Sequence, residues 1–305
     1  MTSGRVTSGR VTAVVLNWCN EHDTKACVDS LAAQDYPALG VLLVDNGSPD
    51  GSGPRLHARY PKVGYLQTGQ NLGYAGGNNR GMKQAVDEGA EYVLVVNNDT
   101  VLDRSCVREL VQAVKGEQDT GGQEDELGVG AVGAKILRYD APDRIWFGGG
   151  EFDRLRAIGR HVDENLADSN PAERDSRDVT FLTGCCLLIP AETLRTMGVF
   201  RDDFFAYCED VEFCLRVSRK RLRLVYAPTA RLRHRVPPVG TLPSPMQIRF
   251  RDRNRRRIVR LHYGALDTAL FFAWYYPSRL ALMVRYALMG EIERARAVIK
   301  GMTEA

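Results

Sequence analysis

Residues 94–103 read LVVNNDTVLD, an apolar run that ends abruptly in two asparagines and an aspartate. The five apolar residues at 92–96 have the length and composition of an inner β-strand. Asn97, Asn98 and Asp99 are ordinary turn chemistry, so a strand passing into an Asx turn accounts for the stretch by itself. The alternative is that Asp99 stands at a strand end because a ligand is held there. The surrounding chain has to choose between them.

Upstream, strand and helix patterns alternate. VTAVVLNW (11–18) reads as a strand and NEHDTKACVDSLAAQ (20–34) as a helix capped by Asn20 or Asp23. GVLLVDNGSPDGS (40–52) is a strand entering a polar turn, GPRLHARY (53–60) a helix and VGYLQT (63–68) a strand. GYAGGNNRGMKQAVDEGA (73–90) reads as a glycine loop feeding a helix before the strand at 91–99. Such alternation implies an α/β fold with a mostly parallel, doubly wound sheet. In these sheets ligands gather at the carboxyl edge. Three strand ends there are polar: Asn17, Asp45-Asn46, and Asn97-Asn98-Asp99.

Downstream, 115–126 reads as an exposed acidic loop and VGAVGAKIL (129–137) resumes the sheet. IWFGGGEFD (145–153) and the polar stretch 159–178 suggest a hairpin and a mobile loop. VTFLTGCCLLIP (179–190) is another buried strand, with a helix from about Ala191. FFAYCEDVEFCLRVSRKRL (204–222) has the spacing of an amphipathic helix beginning with acids, and RLVYAPTARLRHR (223–235) reads as a late strand. After the Pro/Gly-rich VPPVGTLPSP (236–245) the composition turns Arg-rich.

The 305 residues suffice for one large or two modest domains. Hydrophobic and charged contents of 44% and 26% are those of an ordinary globular protein, and a net charge of +3 implies no nucleic-acid partner. Seven cysteines without a C-x-x-C pair suit reduced thiols in a cytoplasmic protein. TSGRVTSGRVT (2–12) is a duplicated polar tract, so 1–10 is expected to be a disordered leader or a cloning remnant. No signal peptide is recognised, and no uncharged stretch is long enough to cross a bilayer.

Taken singly, the polar motifs leave two readings open. Asp45 suits a turn as well as a ligand contact. NLGYAGGNN (71–79) permits close backbone approach but has neither G-x-G-x-x-G spacing nor a Walker lysine. Asp99 has the chemistry to bind Mg²⁺ or Mn²⁺, with a diphosphate completing the shell. His234, between Arg233 and Arg235, is either a second ligand or a structural histidine. Glu209 and Asp210 open a helix, where carboxylates serve as caps or as a general base.

The order of the pieces resembles the inverting GT-A glycosyltransferases of family 2, in particular their bacterial rhamnosyltransferase-like members. VVLNWCN (14–20), VDNGSPDGS (44–52), NLGYAGGNNRGM (71–82), NND (97–99), FLTGCCLLIP (181–190) and FFAYCEDVEFCLR (204–216) stand in the family's order between about Val11 and Arg235. IWFGGG (145–150) also looks familiar. The resemblance implies a GT-A fold, with a catalytic domain at 11–236 divided into a nucleotide-sugar half (11–103) and an acceptor half (104–236), and a helical extension at 237–305. It implies that Asp210 is the base, with Glu209 orienting it, and that Asp99 and His234 hold a divalent cation. Asn97 takes the first position of a D-x-D-type turn, a departure that removes one charge from the cation site. Asn17, Asp45, Asn46, Asn71, Gly73, Gly76, Gly77, Asn78, Asn97 and Asn98 would line the nucleotide sugar. Trp146, Gly184 and Cys185 would face the acceptor.

The donor implied is a dTDP- or UDP-sugar, with dTDP-L-rhamnose favoured, and the acceptor is a cell-surface glycan or lipid-linked sugar. Seven arginines between Arg249 and Arg260, followed by LFFAWYYPSRLALMVRYALMG (270–290), suit an interfacial helix on the inner face of the plasma membrane or a cradle for a lipid diphosphate. Packing on the catalytic domain or a homodimer seam explains the same residues. Pro277 is expected to start a helix. A nucleotidyltransferase would want Gly, Arg and Lys after the first strand, where NWCNEHDTK stands. A non-catalytic nucleotide-sugar-binding protein would not need Glu209-Asp210.

Overall fold

The computed structural model describes residues 9–119, 128–170 and 172–304. Most of the expected leader and 120–126 of the expected acidic loop lie outside the described residues. Residues 9–10 do not behave as a leader: Arg10 donates its backbone N–H to Glu91 and its guanidinium to the Glu88 carbonyl.

The first stretch alternates as the pattern requires: β1 (Val11–Asn17), α1 (Glu21–Ala32), β2 (Leu39–Asp45), α2 (Ser52–Arg59), β3 (Gly64–Gln67), α3 (Gly73–Asp87) and β4 (Tyr92–Asn97). Asn20 caps α1 through the backbone N–H of Asp23. β5 (Thr100–Leu102) and α4 (Cys106–Asp119) follow, so 115–119 is helix rather than loop. The next strands are β6 (Val129–Arg138), β7 (Ile145–Phe147), β8 (Gly150–Asp153), β9 (Ile158–His161), β10 (Arg177–Val179) and β11 (Cys186–Pro190). Then come α5 (Ala191–Met197), α6 (Glu209–Arg219) and β12 (Arg223–His234). Three helices end the chain: α7 (Pro245–His262), α8 (Ala265–Leu288) and α9 (Ile292–Thr303).

The main sheet runs β10-β12-β6-β11-β4-β1-β2-β3. β3, β2, β1 and β4 are parallel, whereas β11 is antiparallel to both β4 and β6. Parallel register sets Asn17 beside Asp45 and Asp45 beside Gln67, with Asn97 next to Leu16. The polar strand ends therefore share one edge. β6 is buried along all ten residues, which is why its apolar run shows no alternation.

Two further expectations are corrected. The glycine segment is not a loop before α3 but its first turns. Gly77 lies where a Cβ would meet Leu16 at 2.5 Å, and Gly81 where it would meet Val14 at 2.4 Å. These glycines bring α3 down onto β1 and β2, and that packing overrides their poor helix propensity. Pro277 starts no helix; it lies inside α8, on an exposed position where the missing N–H leaves a carbonyl facing water. The first tail helix begins instead at a capping box of Ser244 and Gln247 with Pro245 at its first turn.

The arginine-rich segment is largely internal. Arg255 and Arg256 are buried, and α7 packs on α6 through His262 and Glu212, 3.2 Å apart. Among the described residues no helix is long and apolar enough to cross a membrane.

Replacing Gly81 by Ala puts a methyl into the α3–sheet contact. Urea unfolding should show a loss of about 1–3 kcal/mol, the usual cost of overpacking. An unchanged midpoint would mean that α3 does not sit this close to the sheet.

Candidate active site

Asp99 leaves β4 in a turn that β5 continues, and β5 pairs antiparallel with the end of β12. His234 consequently stands opposite Thr100, with its Nε2 3.0 Å from Asp99 Oδ1. That contact is close without being aligned as a hydrogen bond: Asp99 Oδ1 and His234 Nδ1 are buried with no hydrogen-bond partner among the described residues. An oxygen and an imidazole nitrogen converging in this way fit a divalent cation of the Mn²⁺ type. Among the described residues no cluster of three or more His, Cys, Asp or Glu could hold an ion. The pair would need oxygens from a ligand to complete the shell.

The turn is braced on every side. Asn98 donates to Thr24 at 2.8 Å, and Thr24 donates to the Asn17 carboxamide oxygen at 3.0 Å. Arg235 gives its backbone N–H to the Asp99 carbonyl, and its guanidinium forms an ion pair with Asp23 at 3.1 Å. Trp146 packs edge-on against His234 with ring centroids 4.5 Å apart, and likewise against His161. Burial lowers the His161 imidazole to about 4, so it stays neutral at physiological pH.

Asp45 is fully buried and accepts from Asn17, Ser48 and Gln67. Gln67 is the exposed member of that set and covers the Asp45 carboxylate from the solvent side. Asn46 is spent internally, donating to Asn71 and to the Gly73 carbonyl and accepting from the Leu72 N–H. Gly73 has φ +75° and touches Phe205, which a side chain would prevent. Asn78 donates to the Tyr74 carbonyl, leaving its own oxygen buried without a partner. Of the glycine segment, Gly76 and Gly77 face Leu72 and Leu16.

Tyr74, which the sequence reading did not single out, joins the two sides. Its hydroxyl lies 2.9 Å from Asn97 Oδ1 and 2.8 Å from the Gly184 carbonyl. Gly184 in turn donates its N–H to Asp210 at 3.0 Å, and the Cys185 carbonyl accepts from the Asn97 N–H. Burial pushes the Tyr74 hydroxyl up, and Glu209, Asp210 and Asp99 all add to the shift. Cys185 also feels both Asp99 and Asp210. Tyr74 and Cys185 therefore lie between the two acids.

Glu209 and Asp210 occupy the first turn of α6, as the sequence indicated. Asp210 is partly open and accepts from the N–H groups of Gly184 and Val211. Burial raises its carboxyl, while those two bonds and the Arg251 charge pull it back. Glu209 is buried with one oxygen unpartnered, and burial followed by Asp210 pushes it well above the ordinary carboxylate range. Of the pair, Asp210 ionises more readily.

The segment leading into α6 is unusual. Phe205, Tyr207 and Cys208 all have positive φ, a costly conformation for residues with side chains. Asn254 of α7 holds it in place, with its amide nitrogen 2.9 Å from the Phe204 carbonyl, 2.9 Å from that of Ala206 and 2.6 Å from that of Tyr207. Arg253 adds a bond to the Phe204 carbonyl at 2.8 Å. Nothing in the local sequence signals these clamps, because they come from another element.

Residues 13–123 match the family model described as glycosyl transferase family 2, and residues 92–292 that described as glycosyl transferase family group 2. A low-salt glycan biosynthesis hexosyltransferase of Haloferax volcanii is 26% identical over 79% of this chain and 73% of its own length. An N-acetylglucosaminyl-diphospho-decaprenol L-rhamnosyltransferase of Mycobacterium tuberculosis is 30% identical over 67% of this chain and 69% of its own. Among solved structures, GalNAc-T7 with UDP, GalNAc and Mn²⁺ superposes with a TM-score of 0.66 at 13% identity. It covers 90% of this chain and 51% of that one, a likeness of fold.

Titration of Glu209 should be visible in stability. Between the ordinary carboxyl pKa and the raised one, the folded chain holds more protons than the unfolded chain, so stability falls as pH rises through that window. Glu209→Gln should flatten this slope in urea titrations at several pH values. A slope identical to that of the unsubstituted protein would place Glu209 in a solvated setting.

Proposed function

The chain belongs to glycosyl transferase family 2 and is a glycosyltransferase; from that premise we propose that it transfers L-rhamnose from dTDP-L-rhamnose, with inversion, to a hydroxyl of a lipid-diphosphate-linked glycan. The observation that carries this is the convergence of Asp99 and His234 on one side of Tyr74 with Asp210 on the other. A cation-ligand pair facing a carboxylate base is what a single displacement at an anomeric carbon needs.

Asp210 takes the proton from the acceptor hydroxyl, whose oxygen forms the new bond to the anomeric carbon as the bond to the diphosphate breaks. No covalent sugar–enzyme intermediate is required, so one carboxylate suffices. Glu209, protonated more readily, avoids placing a second negative charge beside the base. Tyr74 and the Gly184 backbone fix the base relative to the Asn97–Asp99 turn. Asp99 and His234 would hold a divalent cation, which when bound neutralises charge developing on the departing diphosphate. Asn97 contributes no charge, so the cation and the nucleotide should bind together more tightly than either alone.

The pyrimidine falls to the edge of β1–β3. Its N3–H would replace the Gln67 amide on Asp45, with Asn17 behind. This serves thymine and uracil alike, and a UDP-sugar donor is the second reading. The choice of rhamnose draws on the mycobacterial relative, whose name also motivates the lipid-diphosphate acceptor. A direct test combines ligand screening with one substitution. dTDP with Mn²⁺ should raise the melting temperature of both the unsubstituted protein and Asp210→Asn, by the linkage of binding to stability. Turnover should fall by about 10²–10⁴-fold in the variant, the order expected when a positioned base is removed. A preference for GDP would overturn the donor assignment, and turnover surviving in the variant would remove Asp210 from the role.

A peripheral position on the inner membrane leaflet is supported by the outer face of α8. Leu266, Leu270, Leu280, Val284 and Leu288 are exposed on it, with Arg285 among them. Substituting Leu280 and Val284 by Asp should reduce co-sedimentation with anionic phosphatidylglycerol vesicles. Absence of vesicle binding together with a concentration-dependent dimer would assign that face to a second copy of the chain.

A further inference from the structure

On the opposite face of α8 the chain encloses a cavity of about 290 Å³, between α7, α8 and the β8–β9 hairpin. Four guanidinium groups line it, those of Arg156, Arg251, Arg255 and Arg279, against the single carboxylate of Asp252. Asp252 is already shared: its Oδ1 lies 3.1 Å from Arg279 and 3.4 Å from Arg255. Arg156 pairs with Asp153 at 2.8 Å. The remaining wall is apolar and aromatic, with Ile158, Ile248, Leu282 and Trp274. Three of the guanidiniums lie over the Trp274 ring, at 5.2–5.9 Å from its centroid.

Two of these cations have unused capacity. Arg255 is 5% exposed, yet its Nη2 has no hydrogen-bond partner among the described residues. Arg251 is exposed and is not paired with any described acid. Burial lowers the Arg255 guanidinium only to about 10, so it carries its charge into the cavity at neutral pH. A buried guanidinium with an unmet donor beside further positive charge is costly, and an anion offsets that cost. Guanidinium forks in this arrangement suit phosphate oxygens. Ile158, Ile248 and Leu282 would repel a fully hydrated ion but accept a hydrocarbon.

We propose that this cavity binds the phosphate or diphosphate of an acceptor that carries an apolar chain, with Arg251, Arg255 and Arg279 on the oxygens and Ile158, Ile248 and Leu282 against the chain. The inference rests on the reading of Asp210 as the acceptor-side base. Arg251 connects the two places: it lines the cavity, and its charge also acts on Asp210 and Tyr207. The cavity and the base thus share Arg251 as a neighbour. Arg255 and Arg279 both hold Asp252 through Oδ1, its Oδ2 being buried without a hydrogen-bond partner among the described residues, and four guanidiniums against this one carboxylate leave the lining net positive.

Calorimetry on the full chain tests this with farnesyl diphosphate and inorganic pyrophosphate as probes, in the presence and absence of saturating dTDP and Mn²⁺. Farnesyl diphosphate should bind with dTDP already in place, at least about tenfold more tightly than pyrophosphate. Arg251→Gln, at an exposed position, should weaken it about tenfold, and Arg279→Gln similarly, while both variants keep the dTDP affinity of the unsubstituted protein. Equal affinity for pyrophosphate, displacement by dTDP, or binding indifferent to both substitutions would overturn the inference. Failure of the donor reading would appear separately, as absence of dTDP binding in every variant.

Discussion

Three residue pairs between β5 and β12 carry Asp99 onto the imidazole of His234, joining parts of the chain that sequence keeps far apart. Elsewhere the polar strand ends are brought together by parallel register alone, which any doubly wound sheet supplies. The Asp99–His234 contact is different, because a short antiparallel strand has to turn back across the edge. The structure secures that crossing at several points. Arg235 bonds the Asp99 carbonyl, reaches Asp23, and lies 3.6 Å over the Tyr139 ring. What remains unsatisfied there is Asp99 Oδ1, buried without a hydrogen-bond partner among the described residues, and a cation held between it and His234 Nε2 would satisfy it.

The Glu209–Asp210 end depends on long-range support in the same way. Helix α6 could present Glu209 and Asp210 on its own, but the left-handed residues before it could not persist unaided. Asn254 and Arg253 supply the donors that hold the segment, so the tail helices have a structural duty at the start of α6. Internal bonding of this kind, to α9 as well as to the segment before α6, accounts for several of the arginines. Arg249, Arg253, Arg256 and Arg257 bond carboxylates or main-chain carbonyls of other elements. Around the cavity, Arg251 and the Nη2 of Arg255 have no such partner among the described residues.

Much of the framework was legible because buried strands and amphipathic helices leave periodic marks. The strand of residues 92–96 and its polar end, the acidic opening of α6, and the late strand ending at His234 are all where the pattern puts them. The misreadings share one cause, the dominance of tertiary packing over local propensity. Gly76 and Gly77 read as loop because glycine is a poor helix former, yet close packing on the sheet, Gly77 against Leu16 and Gly81 against Val14, makes the segment helical. Pro277 read as a helix start because its cost in an exposed helix position is not visible locally. The arginine run left a membrane-facing helix and packing on the catalytic domain both open, because the carbonyls that receive it lie elsewhere in the chain. Tyr74 escaped notice for the same reason: its partners, Asn97 and Gly184, are remote in sequence.

Anomalous scattering from a crystal grown with Mn²⁺ and dTDP measures the central claim most directly. The account expects a manganese peak bonded to both Asp99 Oδ1 and His234 Nε2, with the diphosphate on its open side and Asp210 facing the same ligand. A diphosphate bound with the metal elsewhere, or with Asp210 turned away from it, would contradict the account.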